Sequence, residues 1–119
     1  MFELLTNDLG KISVSRETIE TIAGLATIEC YGLVGMVPRK VSDGLSSILG
    51  IDSVRKGVEA RDTQDGLVVD VYIIVSYGTK ISEVAGNVIQ KVRYVLEQVT
   101  GIHVARVNVN VQGVRVAKE

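Results

Sequence analysis

Thr63-Gln64-Asp65-Gly66-Leu67-Val68-Val69-Asp70-Val71-Tyr72-Ile73-Ile74-Val75-Ser76-Tyr77-Gly78 is the stretch on which the fold turns. Leu67, Val69, Val71, Ile73 and Val75 fall on one side of an extended chain, and Asp70, Tyr72, Ile74 and Ser76 on the other. That two-residue period describes a strand with a dry face and a wetter one. The Asp-Gly pair ahead of it suits a tight hairpin, because glycine tolerates the positive φ that such turns demand. Val58 to Arg61 is therefore expected to pair back on Leu67 to Tyr77.

Downstream, Gly78 and Thr79 end the strand and a helix is expected. Ile81, Val84, Ala85, Val88, Val92, Val95, Leu96 and Val99 make one apolar stripe, and Gly101 stands where a left-handed C-terminal cap belongs. Val104 to Gln112 follows, with Ala105, Val107, Val109 and Val111 alternating with Arg106, Asn108, Asn110 and Gln112. It reads as a half-exposed strand. Upstream, Gly10 to Ser15 reads as a short strand with Ile12 and Val14 on one face. Ser15 reads as the N-cap of a first helix, with Glu17 in its first turn and Ile19, Ile22, Ala23, Ala26 and Cys30 on its apolar stripe. Leu33 to Val37 is expected to be a short strand ended by Pro38. A brief helix capped by Ser42 and carrying Leu45, Ile48 and Leu49 is expected within the less regular segment that runs to about Gly57.

The expected order is β-α-β-β-β-α-β. Residues 1–119 then form one α+β domain, a two-layer sandwich in which two main helices cover one face of a mixed, mostly antiparallel sheet. Composition agrees. Hydrophobic residues make up 46% of the 119, with no Trp, one Phe and one Pro, so the core is aliphatic and disorder is not expected. Thirteen Lys and Arg face fourteen Asp and Glu, which leaves no global attraction toward nucleic acid or an anionic membrane.

The same reading disfavours chemistry. Cys30 is the only cysteine and His103 the only histidine, too few ligands for a zinc motif. A nucleophilic site would need the two brought together and oriented. The thiol reads instead as a small hydrophobe on a helix stripe, and the imidazole as a residue at the start of a strand. Asp62 and Asp65 bracket a turn, where aspartate serves the backbone. Gly32-Leu33-Val34-Gly35 matches the G-x-x-G of KH domains only weakly, since its middle is apolar and no basic run adjoins it. Gly44, Gly50 and Gly57 lack phosphate-loop spacing. No catalytic residue, metal site or cofactor is expected. Met1-Phe2-Glu3-Leu4-Leu5 is too short in apolar residues for a signal peptide and carries an early acid. No apolar run approaches the roughly 20 residues of a membrane span. A cytoplasmic protein that is not itself inserted in the membrane is expected.

Two surfaces remain for partners. The wetter sheet face collects Tyr72 and Ile74 beside Arg106, Asn108, Asn110 and Gln112, an apolar centre with a polar rim. Segment 39–56 combines Arg39, Lys40, Arg55 and Lys56 with Leu45, Ile48, Leu49 and Ile51, a composition compatible with a lipid surface or a partner's groove.

Leu9-Gly10-Lys11-Ile12-Ser13-Val14-Ser15, Ile22-Ala23 and Tyr31-Gly32-Leu33-Val34-Gly35-Met36 resemble the opening of the alkaline shock protein 23 family, especially its short YloU-like members. The likeness continues through Val69 to Gly78, Ile81 to Ala85, Thr100-Gly101-Ile102 and Val107 to Val114. The resemblance implies a non-enzymatic bacterial protein of envelope stress and envelope homeostasis that associates with itself and with protein partners. It also implies, for some relatives, a membrane protein that holds them at the inner face of the cell membrane. For short relatives it implies a link to lipid-precursor enzymes such as a fatty-acid kinase. An accessory role beside such a kinase is one alternative function, and weak RNA binding is another. Long charged extensions like those of larger, membrane-localised relatives are not expected.

Overall fold

A computed structural model of the chain describes residues 2–36 and 56–116. The chain opens with strands β1 (Phe2–Asn7) and β2 (Gly10–Val14), followed by helix α1 (Arg16–Ile28) and strand β3 (Leu33–Met36). Strands β4 (Val58–Thr63) and β5 (Gly66–Ser76), helix α2 (Ile81–Thr100) and strand β6 (Val104–Arg115) complete it. The brief helix expected near Ser42 and the segment 39–55 lie outside the described residues.

β5 organises the body. Its alternation is complete: Leu67, Val69, Val71, Ile73 and Val75 are all fully buried, while Val68, Asp70, Tyr72, Ile74 and Ser76 between them are half-buried. β4 pairs antiparallel with Gly66 to Val71, and β3 pairs antiparallel with Ile73 to Val75. β6 pairs parallel along Leu67 to Ser76. A strand has two edges, so β3 and β4 lie end to end on one of them and β6 takes the other. The parallel pair needs a crossover, and α2 supplies it.

The helices lie side by side on the dry face. α1 packs over β3 and β4, α2 over β6, and the two pack on each other. Ile19, Ala23 and Ala26 of α1 and Val84, Val88, Val92 and Leu96 of α2 close the core against the valines of β5. The expected caps are present. Ser15 accepts the N–H of Thr18 at 3.1 Å, and Gly101 is left-handed at φ 77°, its N–H donating to the Glu97 carbonyl. The sheet is thus a mixed, mostly antiparallel one with both main helices on one face, as the patterning implies.

Three particulars differ from the expectation. Phe2–Asn7 is a strand, which pairs antiparallel with β2 to make a second, two-stranded sheet. Its turn is held by the Asn7 side chain, whose Oδ1 accepts the N–H groups of Leu9 at 2.8 Å and Gly10 at 3.2 Å. The pattern Phe2-Glu3-Leu4-Leu5 hid this strand because a register shift between Glu3 and Leu5 breaks the alternation. Ile12 and Val14 do share a face, but Ile12 is 52% exposed, so only the Phe2 and Val14 end of the hairpin joins the core. Ala105 does not stand in line with the valines of β6. The ladder runs from Leu67↔Val104 to Val68↔Arg106, leaving Ala105 as the extra residue of a bulge and burying Val104 in its place.

Candidate interaction surface

On the wet face, register decides which side chains meet. The turn aligns Glu59 with Asp70 across β4 and β5, two like charges directly opposed, an arrangement that destabilises a sheet unless relieved. Relief comes from both sides of Asp70. Arg61 Nη2 donates to Asp70 Oδ2 at 2.8 Å, and Asn108 Nδ2, from β6, donates to Asp70 Oδ1 at 2.8 Å. One carboxylate, its side chain 14% exposed, thus ties three strands together. The hydrogen bond and charge of Asp70 raise the pKa of Arg61 above its ordinary value, so this guanidinium stays protonated at every accessible pH.

Beyond that knot lie the other residues of the face. Tyr72 aligns with Asn110, whose Nδ2 donates to the Val71 carbonyl at 3.4 Å. Ile74 aligns with Gly113 on one side and with Gly35 on the other. Tyr72, Ile74, Asn108 and Asn110 are half-buried, and Arg106 and Gln112 are exposed. Arg106 stands beside Val68. Gln112 is skipped by the ladder, which passes from Ile73↔Val111 to Ile74↔Gly113. Five of the six expected residues therefore lie along two adjacent strands, and the sixth sits in a bulge. Sequence reasoning overlooked Arg61, Glu59 and the role of Asp70. The Asp65-Gly66 pair was the available signal, because the Gln64-Asp65 turn that leads into Gly66 sets the pairing that brings them together.

The candidates for chemistry stay apart. Cys30 lies just past α1 near β3, which pairs with Val75, whereas His103 precedes Val104, which pairs with Leu67 at the opposite end of β5. Burial pushes the Cys30 thiol up, with the Lys91 charge opposing and Glu29 assisting. Its Sγ meets the Ala26 carbonyl at 3.7 Å. His103 Nδ1 lies 3.7 Å from Glu97 Oε2, and that same oxygen accepts the Val104 N–H at 3.0 Å. Gly32 is in a left-handed turn and Leu33 to Gly35 are in β3, so the G-x-x-G leads from a turn into a strand and does not join two helices. Among the described residues no group of three or more His, Cys, Asp or Glu could hold a metal ion. No helix among them is long and apolar enough to cross a membrane.

Residues 5–116 match the alkaline shock protein 23 family, described as having a cell envelope-related function. The chain belongs to that family. Alkaline shock relatives are alike over nearly their whole length. YloU of Bacillus subtilis (strain 168), an uncharacterized protein, is 48% identical over 113 residues, covering 94% of each chain. Spy1614 of Streptococcus pyogenes serotype M6, also uncharacterized, is 39% identical over 111 residues, covering 92% of each. Neither the family description nor these names state an enzymatic activity. Among solved structures, a MamM-CTD variant superposes with a TM-score of 0.50 at 12% identity, over 87% of this chain and all of that one. At such identity the likeness concerns the fold of this alkaline shock domain alone.

Proposed function

We propose that the protein is a non-enzymatic, self-associating scaffold or adaptor of envelope homeostasis, which acts on protein partners through the wet face of its four-stranded sheet. On this reading it works in the cytoplasm, and a membrane-anchored partner protein holds it at the inner face of the cell membrane. The observation that carries the reading is the construction of the face. Tyr72 and Ile74 supply apolar surface, and Arg61, Asp70 and Asn108 form a polar border in which both oxygens of Asp70 already accept hydrogen bonds within the chain. A border of that kind can be buried against a partner without leaving Asp70 unpaired. The envelope-related description of the family supports the setting.

The test is the double variant Tyr72→Asp/Ile74→Asp. It should remove co-purifying envelope proteins, while circular dichroism stays native. Unchanged co-purification with an intact fold would exclude this face.

A further inference from the structure

Among the described residues β6 has one edge without a pairing strand, and that edge carries a second kind of surface. The opposite side of the sheet is managed: Glu20 of α1, 2% exposed, reaches over β4 and accepts the Ala60 N–H at 3.1 Å. β6 is longer, at 12 residues, and among the described residues it pairs only with β5. Its beginning is partly occupied by side chains of α2, since Glu97 accepts the Val104 N–H and Arg93 donates to the Ala105 carbonyl at 3.3 Å. From Val107 to Val111, between the bulges, nothing of the kind is seen among the described residues. Edge strands are ordinarily protected by lysine, proline, inward charges, bulges, shortness or a covering element. Bulges at Ala105 and Gln112 bound the segment, but Val107-Asn108-Val109-Asn110-Val111 between them carries no lysine, proline, charge or bulge.

The hydrogen bonds of β5 show which groups point outward. The N–H groups of Tyr72 and Ser76 bond Gly57 and Gly32, on the β3 and β4 side, whereas those of Leu67 and Tyr77 bond His103 and Arg115, on the β6 side. Odd-numbered residues of β5 therefore address β6. In a parallel ladder each of them bonds the two residues that flank its partner. With Val69↔Val107, Val71↔Val109 and Ile73↔Val111, those flanking residues are Arg106, Asn108, Asn110 and Gln112. Val107, Val109 and Val111 thus direct their N–H and C=O groups away from β5.

We infer that β6 pairs edge to edge and antiparallel with β6 of a second copy, about a two-fold axis at Val109. The inference rests on the self-association in the proposed function and names the surface responsible. The axis follows from geometry: Val109 exchanges both bonds with its own copy, and Val107 does so with the partner's Val111. All three of these outward-pointing residues are then used. Opposed residues share a face in an antiparallel pair, so the valines stay on the helix side and the asparagines on the wet side. Asn108 meets the partner's Asn110, amides that both donate and accept, and Arg106 meets the partner's Gln112. No like charges are brought together, as an isologous interface requires. The two four-stranded sheets become one of eight strands, with all helices on one side.

Sedimentation of the full chain across micromolar concentrations should show a dimer. Val109→Pro, which removes the N–H on the axis but no bond to β5, should weaken it roughly thirtyfold or more. Disulfide trapping reports the register. In a Cys30→Ala background, Asn108→Cys and Asn110→Cys chains should cross-link when mixed and oxidised, because directly opposed residues of a non-hydrogen-bonded pair lie about 4.5 Å apart. Neither variant should cross-link alone. The trapping decides the matter if Val109→Pro proves unfolded by circular dichroism. A monomeric wild type would overturn both this inference and self-association. A dimer that resists Val109→Pro, gives no mixed disulfide and dissociates with Tyr72→Asp/Ile74→Asp would overturn the edge and leave the face standing.

Discussion

Glu20 is a carboxylate inside an aliphatic core, with one oxygen serving the backbone N–H of Ala60 on a different element. Glu20→Ala strands that N–H, and should cost about 1–3 kcal/mol in urea unfolding. Glu20→Gln keeps a carbonyl acceptor in place and should recover most of the loss. Gly32 is constrained in another way. Its φ is +89°, and a Cβ there would lie 2.7 Å from Val84 Cγ2. Gly32→Ala combines a left-handed alanine with a clash, so a loss of at least about 2 kcal/mol is expected in the same assay. Cys30 gives a chemical readout. Its raised pKa leaves less thiolate at mildly alkaline pH, so alkylation of the native protein at pH about 8 should be slower than in urea. Equal rates would place the thiol in water.

At the level of elements, the two sheets respond differently to loss of side chains. Ile73 in β5 is fully buried, and Ile73→Ala should cost about 2–5 kcal/mol. Ile12 in β2 is 52% exposed, and Ile12→Ala should change stability by no more than about 0.5 kcal/mol. Both are measured by denaturant unfolding. These elements also show what can be read from a chain of letters. β5, α1, α2 and both caps were legible because periodicity and cap chemistry are local: Ser15, Gly101 and the valines of β5 need no knowledge of their neighbours. The hairpin at the start was missed because Leu4 falls in a break of register and its decisive residue, Asn7, acts through its side chain. That Tyr72, Ile74, Asn108 and Asn110 share one face was legible. The knot at Asp70 was not, since it depends on the turn pairing of β4 and the parallel register of β6 together. Ala105 and Gln112 show the same limit: a bulge shifts the parity of every residue beyond it, and nothing local announces one.

The molecule as a whole is built around one strand. β3, β4 and β6 all pair with β5, and α2 crosses back over the sheet to bring the parallel partner alongside. Both edges of β5 are occupied over most of its length, and no other strand has that property among the described residues. The consequence shows in the clock of deuterium uptake. An amide in Val69 to Ile73 can meet solvent only when the strand loses a neighbour together with the helix above it, so these protons should exchange at the rate of global opening. The β1–β2 hairpin joins the core only at its Phe2 and Val14 end, and the rest of it, with only its own pairing to protect it, should exchange orders of magnitude sooner. A time course in deuterated buffer, followed residue by residue, would therefore trace the architecture outward, with the centre last to be labelled.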